Sequence, residues 1–167
     1  MIRVCDYLCY PVISGLKKDE RRARLAGTPI LERTFAIMNT GPQVTFTSDF
    51  FKPVPGEEEQ TNPGCYGKAW ATWLAERLQE RGVPVEGVIP EDFGWIVMIS
   101  RKPFMLWLAC SNTEDSTNEW MVYPVAELSV TQRLFKRVDP APELERLRSH
   151  LAELVPLIPG VTNIVWE

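Results

Sequence analysis

The residues best suited to acid–base chemistry are two neighbouring carboxylates, Glu91 and Asp92, which follow Pro90 and precede Trp95. Two acids beside a tryptophan could act as a general acid and a general base, or supply half of a metal site. Adjacent residues of a β-strand point to opposite faces, however, so the two carboxylates need not converge. A Pro-Glu-Asp run also opens turns, in which Asp92 would accept hydrogen bonds from backbone N–H groups. This structural interpretation is favoured, and Glu91 is then expected to point into solvent.

The tryptophans are the residues best suited to binding a partner, and the chain has six of them. Tryptophan is frequent in binding hot spots and ligand pockets. Trp95 and Trp107 lie in strongly apolar runs and are predicted to be core. Trp73 and Trp120 lie nearer the edges of their predicted elements and are expected to be exposed. These two residues and the two acids are the candidate binding residues.

The thiols and the single histidine do not form a recognisable catalytic or metal-binding pattern. Cys5 and Cys9 have a C-x₃-C spacing, but no second pair completes a zinc site. Cys65 and Cys110 are central, whereas His150 lies among the leucines of a predicted helix, so a Cys–His pair is not expected. The chain has no G-x-S-x-G, P-loop or G-x-G-x-x-G motif. We therefore predict no catalytic residues, no metal and no cofactor.

Charge and hydropathy exclude two classes of partner. The net charge of −4, from 18 basic and 22 acidic residues, argues against a nucleic-acid-binding surface. No run approaches the ~18 apolar residues of a membrane span. Asp6 interrupts the N-terminal apolar run, so no signal peptide is predicted. Unpaired thiols then indicate a reducing cytoplasm.

Period-two runs of apolar residues predict an antiparallel sheet of five to six strands. The predicted strands are residues 33–38, 44–50, 93–100, 104–111, 119–126 and 161–166. Residues 93–100 are apolar on both faces, which is typical of a central strand covered on both sides. Gly94 suggests a bulge or a close backbone approach, and Pro124 places its strand at an edge or marks its end.

Two helices are predicted to pack on this sheet, which gives an α+β fold. The first spans residues 63–81, with Asn62 as its cap, Pro63 in its first turn and Gly82 just past its end. The second spans residues 142–155, where leucines recur at helical spacing.

The domain organisation predicted is an N-terminal extension, residues 1–30, followed by a single α+β domain, residues 31–167. Termini that are not tied into a sheet are usually poorly ordered, so the extension is expected to be dispensable. The second face of the sheet nevertheless needs cover, which either the N-terminal segment or a second copy of the chain could provide.

Three runs of the sequence resemble a family of short uncharacterised proteins of proteobacteria. They are NPGCYGKAWATWLAERL, PVEGVIPEDFGWIVMISRKPFMLWLACSN and LERLRSHLAELVPLIPGVTNIVWE. The resemblance covers residues 31–167, and the Glu-Asp-Phe-Gly-Trp stretch is its most recognisable part. It implies a bacterial, cytoplasmic, single-domain protein, and it carries no catalytic residue over to this chain.

The function favoured by these features is a non-catalytic binding module, such as an immunity-type or inhibitor-type protein that sequesters a partner protein. Its support is the acidic balance, the spare aromatic residues and the lack of a catalytic pattern. The alternatives are a small-molecule-binding domain and an unrecognised hydrolase, each with Glu91 and Asp92 at a strand mouth. The expected partners are a protein or a second copy of the chain, rather than nucleic acid or a membrane.

Overall fold

The computed structural model describes residues 37–114, 116–134 and 138–167, and in these ranges it has seven strands and three α-helices. The strands are β1 (Ile37–Thr40), β2 (Val44–Thr47), β3 (Gly87–Glu91), β4 (Gly94–Ser100), β5 (Met105–Asn112), β6 (Glu119–Leu128) and β7 (Thr162–Trp166). The helices are α1 (Lys68–Glu80), α2 (Val130–Leu134) and α3 (Ala141–Leu154). Short 3-10 turns occupy Glu57–Glu59 and Val155–Leu157. The predicted α+β class is confirmed.

All the strands belong to one antiparallel sheet with the order β3-β4-β5-β6-β2-β7. The first part of β6 pairs with β2 and its last part pairs with β1, so β1 and β2 together flank β6. The strands predicted at residues 93–100 and 104–111 are confirmed as β4 and β5, which pair with each other as a hairpin. The strand predicted at residues 161–166 is confirmed as β7.

The prediction that Pro124 marks an edge strand or a strand end is wrong, because β6 lies between β5 on one side and β1 and β2 on the other. The carbonyl of Pro124 accepts a hydrogen bond from Gly41 N at 2.9 Å, so the backbone of Pro124 faces the break between β1 and β2. A proline is tolerated there because the ladder is already interrupted and needs no N–H donor.

Several element bounds differ from those predicted. β3 was not predicted, because its residues are all half-exposed and include Pro90. The strand predicted at 33–38 overlaps β1 only at residues 37 and 38, and residues 33–36 lie outside the described part of the chain. The second strand ends at Thr47, three residues before its predicted end at 50.

The predicted start of the first helix is wrong, since α1 begins at Lys68 instead of residue 63. Gly64 and Gly67 have φ values of 81° and 154°, which keep residues 62–67 out of the helix. The predicted end is confirmed, because Gly82 has φ 75° and donates its N–H to Gln79 O at 2.9 Å.

One face of the sheet and the two long helices enclose the main core. Trp95, Val97 and Ile99 of β4 point to this face and are 2% exposed or less. The helices contribute the buried side chains Trp70, Leu74, Leu78, Leu147, Leu151 and Leu154. The expectation that Trp95 is core is therefore confirmed.

The opposite face carries a second buried cluster, whose members are Ile96, Met98, Trp107, Ala109 and Val125. Six of the seven residues of β4 are buried, which confirms the prediction of a central strand. The expectation for residues 1–30 lies outside the described residues. Cover of this face by a second copy of the chain stays a prediction.

Replacing Trp95 should test the helix-side core. Trp95→Ala removes a large side chain between β4 and α1 and should lower the free energy of unfolding by about 3–5 kcal/mol. Urea denaturation measures this. Leu157→Ala is the control, because Leu157 is 62% exposed and its loss should change stability by no more than about 0.5 kcal/mol. An unchanged Trp95→Ala midpoint would contradict the packing.

Candidate functional site

Trp73 lies on α1 at the outer end of an aromatic cluster. Its ring stacks on that of Trp70, with centroids 5.6 Å apart and planes inclined by 26°. The ring of Phe51 meets it edge-on at 5.9 Å. Trp70 and Phe51 are buried, whereas Trp73 is half-buried. One side of the Trp73 ring is thus fixed by packing, and the remainder is available to solvent.

Phe50 extends this cluster to the surface and is 51% exposed. Its ring contacts that of Phe51 edge-on, with centroids 5.0 Å apart. Together the two phenylalanines and the outer side of α1 line a shallow depression, which we call the aromatic groove. It is lined by Phe50, Phe51, Val54, Lys68, Ala69, Thr72, Trp73 and Glu76. The groove is apolar at its centre and has one cationic and one anionic residue at its rim, as protein-binding surfaces commonly do.

The expected exposure of Trp120 is wrong, because its side chain is only 1% exposed. Trp120 lies opposite Phe46 of β2 and Asn112 of β5, inside the sheet rather than at its edge. Its indole Nε1 donates a hydrogen bond to Ser48 O at 3.0 Å. The ring lies under Phe51, at a centroid distance of 6.0 Å, and so supports the groove from below.

A buried carboxylate fixes the helix that carries the groove. Glu57 is 1% exposed, and its Oε1 accepts hydrogen bonds from the N–H groups of Gly67 and Lys68, both at 2.6 Å. Its Oε2 accepts the N–H of Val54 at 2.8 Å. Asn62 was expected to cap this helix. Glu57 takes that role, as a carboxylate at the positive end of the helix dipole.

The loop before α1 is also tied to the sheet. Asn112 accepts the N–H of Tyr66 at 2.8 Å through Oδ1 and donates through Nδ2 to Gly64 O at 2.9 Å. A Cβ on Gly67 would lie only 2.8 Å from Cys110 O, so this position requires glycine. The start of α1 therefore rests directly on the backbone of β5.

Glu91 does not point freely into solvent, as was expected, but is half-buried at the end of β3. Burial, and then the neighbouring carboxylates of Asp92 and Glu127, raise the pKa of Glu91 above its ordinary value. Glu127 accepts a hydrogen bond from Trp107 Nε1 at 2.9 Å. The structure thus places a third acid, which the sequence did not suggest, near the predicted pair.

Asp92 and Phe93 form the two-residue turn between β3 and β4, where Glu91 pairs with Gly94. The side chain of Asp92 is exposed, and within the described ranges it accepts no backbone N–H bond. Asp92 therefore lies in a turn, as predicted, but the expectation that its carboxylate accepts backbone N–H bonds is wrong. The turn is closed by backbone pairing and by Ser111 Oγ, which donates to Phe93 O at 2.7 Å. Gly94 makes the predicted close approach, since a Cβ there would lie 2.7 Å from Cys110 O.

Neither Cys110 nor His150 adds a second site. Cys110 is fully buried, and burial raises the pKa of its thiol far above the ordinary range, so it is no thiolate nucleophile. His150 lies half-buried on α3. In the part of the chain that the structure describes, no three His, Cys, Asp or Glu residues are arranged to hold a metal ion.

No protein-family model matches this chain, and neither does any curated protein or solved structure. In the described ranges no helix is long and apolar enough to cross a membrane. Support for a function therefore comes from the aromatic groove and from the acids around Glu91.

Replacing Glu57 should test the anchor of α1. Glu57→Gln keeps the shape but substitutes an amide for the carboxylate that accepts three N–H groups, and we expect a loss of about 2–3 kcal/mol of stability. Urea denaturation measures it. Glu59→Gln is the matched control, because Glu59 lies exposed in the same 3-10 turn. Equal midpoints for the two variants would contradict the anchoring role.

Replacing Glu91 should make stability less dependent on pH. A carboxyl whose pKa is raised by folding costs stability as pH rises from its unfolded pKa, near 4.5, through its folded pKa. Glu91→Gln should therefore raise the urea midpoint at neutral pH, relative to the wild type, and lose this advantage below the unfolded pKa.

The control for this experiment is Glu59→Gln, because Glu59 is exposed and is not one of the carboxylates that raise the pKa of Glu91, so the change should leave the pH dependence of stability as it is in the wild type. A Glu91→Gln protein that is less stable than the wild type at neutral pH would show that the charged carboxylate stabilises the fold instead.

Proposed function

We propose that this chain is a non-catalytic binding module that holds a partner protein at the aromatic groove, in the manner of an immunity-type or inhibitor-type protein. The observation that carries the proposal is the exposure of Phe50 on a rigid aromatic base. Phe50 does not stand alone on the surface but lies with Trp73 in one apolar depression, and aromatic anchors dominate the binding energy of protein interfaces.

The groove is also pre-organised for binding. Trp73 is held by stacking on Trp70 and by the edge of Phe51, so its ring loses little freedom when a partner binds. Glu57 fixes the start of the same helix through its bonds to Gly67 and Lys68. Side chains that are already ordered in the free protein lose less conformational entropy on binding, which increases affinity.

Charge supports a basic partner. The net charge of the chain is −4, and a negative protein attracts a positive one over long range, which raises the rate of association. At the rim of the groove Lys68 lies 4.8 Å over the ring of Trp95, so its charge is partly engaged by that ring. Glu76 is exposed at the same rim and can pair with a cation of the partner.

Affinity capture with matched variants tests this function. The tagged chain should retain a specific protein from lysate of its own host, and Phe50→Ala should reduce the amount retained at least about tenfold, as loss of a hot-spot residue does. Leu157→Ala removes a comparably exposed apolar side chain elsewhere and should retain as much as the wild type.

Purified partner and isothermal titration then give the affinity directly, and the interaction should weaken as salt is raised. A protein retained equally by the wild type and Phe50→Ala would place binding elsewhere. No specific protein retained by the wild type would count against a binding module.

A small-molecule site or a hydrolytic site at the strand mouth is the second candidate, and the raised pKa of Glu91 favours it. A carboxyl whose pKa is raised by burial and by neighbouring acids is better suited to act as a general acid than an ordinary surface carboxylate, and Asp92 and Glu127 are the acids beside Glu91. Turnover of chromogenic glycosides or esters that is lost in Glu91→Gln but kept in Phe50→Ala would favour this candidate. Retention of turnover in Glu91→Gln would exclude that residue from the chemistry.

We also propose a bacterial, cytoplasmic setting for the protein. Its support is the resemblance of residues 31–167 to short proteobacterial proteins, in particular through the stretch from Glu91 to Trp95. Immunofluorescence or fractionation of the host tests this setting.

A further inference from the structure

Among the described residues, β7 is an exposed edge strand that carries neither a charged side chain nor a proline. It pairs with β2 on one side, and among the described residues no strand lies on its other side. All five residues of β7 are exposed, and the apolar ones are Ile164 at 37%, Val165 at 49% and Trp166 at 36%. Edge strands are usually guarded by Lys, Pro or inward charges, and residues 162–166 contain none of these.

The backbone of β7 shows which groups remain open. Gln43 and Glu167 exchange two hydrogen bonds, at 2.9 and 2.8 Å, so Glu167 directs its N–H and C=O toward β2. Because these groups alternate in direction along an antiparallel strand, Trp166 turns both of its backbone groups to the open edge. Val165 pairs with Thr45 and faces β2 in the same way as Glu167, which leaves the carbonyl of Ile164 facing outward.

We propose that β7 pairs with β7 of a second copy, antiparallel about a two-fold axis at Val165, and so joins two sheets into one. In this register Trp166 N–H of each copy donates to Ile164 O of the other. A symmetric edge-to-edge contact of this kind satisfies the same groups on both protomers.

The side chains are self-complementary in this register. Ile164 lies opposite Trp166 of the second copy on one face, and Val165 lies opposite Val165 on the other. Aromatic and β-branched residues are favourable cross-strand partners. Glu167 lies opposite Asn163, so no like charges face each other.

An irregularity in β7 disfavours registers whose axis lies nearer the start of the strand. The pairing of β7 with β2 shifts between Thr45 and Thr47, and Asn163 has φ 51°. Residues before Ile164 therefore leave the regular strand geometry, and an axis moved toward the start of β7 would have to pair across the irregularity. The contact is short, so the dimer should be weak and should depend on concentration.

Sedimentation velocity of the full chain over a range of concentrations tests the proposal. The wild type should shift from monomer to dimer as concentration rises. Val165→Lys places two like charges across the axis and should weaken the dimer at least about tenfold. Thr162→Lys adds the same charge to the same strand beyond the bulge and should leave dimerisation unchanged. Circular dichroism establishes that both variants are folded.

A second variant reports the register directly. Val165→Cys should form a disulfide-linked dimer under mild oxidation, because the two Cβ atoms face each other at the axis, whereas Thr162→Cys should not. Phe50→Ala should dimerise like the wild type, which separates this result from the binding role of the groove. A wild type that is monomeric at every concentration, or a Val165→Lys protein that dimerises normally, would overturn the proposal.

Discussion

The bonds made by the buried carboxylate of Glu57 fix the start of the helix that lines the aromatic groove. Its two oxygens accept N–H groups from Val54, Gly67 and Lys68, and thereby join the loop after β2 to the start of α1. Gly67 has no side chain with which to cap the helix, so the cap has to come from elsewhere in the chain. The position of Trp73, and hence the form of the aromatic groove, therefore depends on these bonds together with the stacking of Trp73 on Trp70 and its contact with the edge of Phe51.

A second constraint is the crowding around the carbonyl of Cys110. Gly67 approaches it from the helix side and Gly94 approaches it within the sheet, each so closely that a Cβ would lie within 3 Å of that oxygen. Both glycines have φ values above 140° that other residues rarely adopt. The central hairpin and the start of α1 therefore both contact the carbonyl of Cys110. A substitution that displaces this carbonyl would also displace α1, which lines the groove.

The elements that could be predicted from the sequence are those with a local signal, whereas contacts between distant residues could not be predicted. β4 and α3 were found because their apolar residues repeat at the strand or helix period, which is a local signal. The capping by Glu57 was missed because its partners lie 10 and 11 residues away and depend on the path of a loop. For a similar reason, Glu91 was expected in solvent but is half-buried, whereas Asp92 is exposed. The alternation of side chains along a strand shows that neighbours point in opposite directions, but not which of the two is buried.

The groove and the edge strand are linked through one buried hydroxyl. Ser48, which is 1% exposed, donates through Oγ to Pro159 O at 3.0 Å, just before β7, and accepts the N–H of Phe50 at 3.2 Å. Its carbonyl accepts the indole N–H of Trp120. Since a satisfied buried polar network fixes the groups that it joins, Phe50 and the approach to β7 are held in one arrangement. A dimer formed through β7 would therefore present its two grooves at a fixed separation, which favours a partner with two equivalent binding surfaces over a single small one.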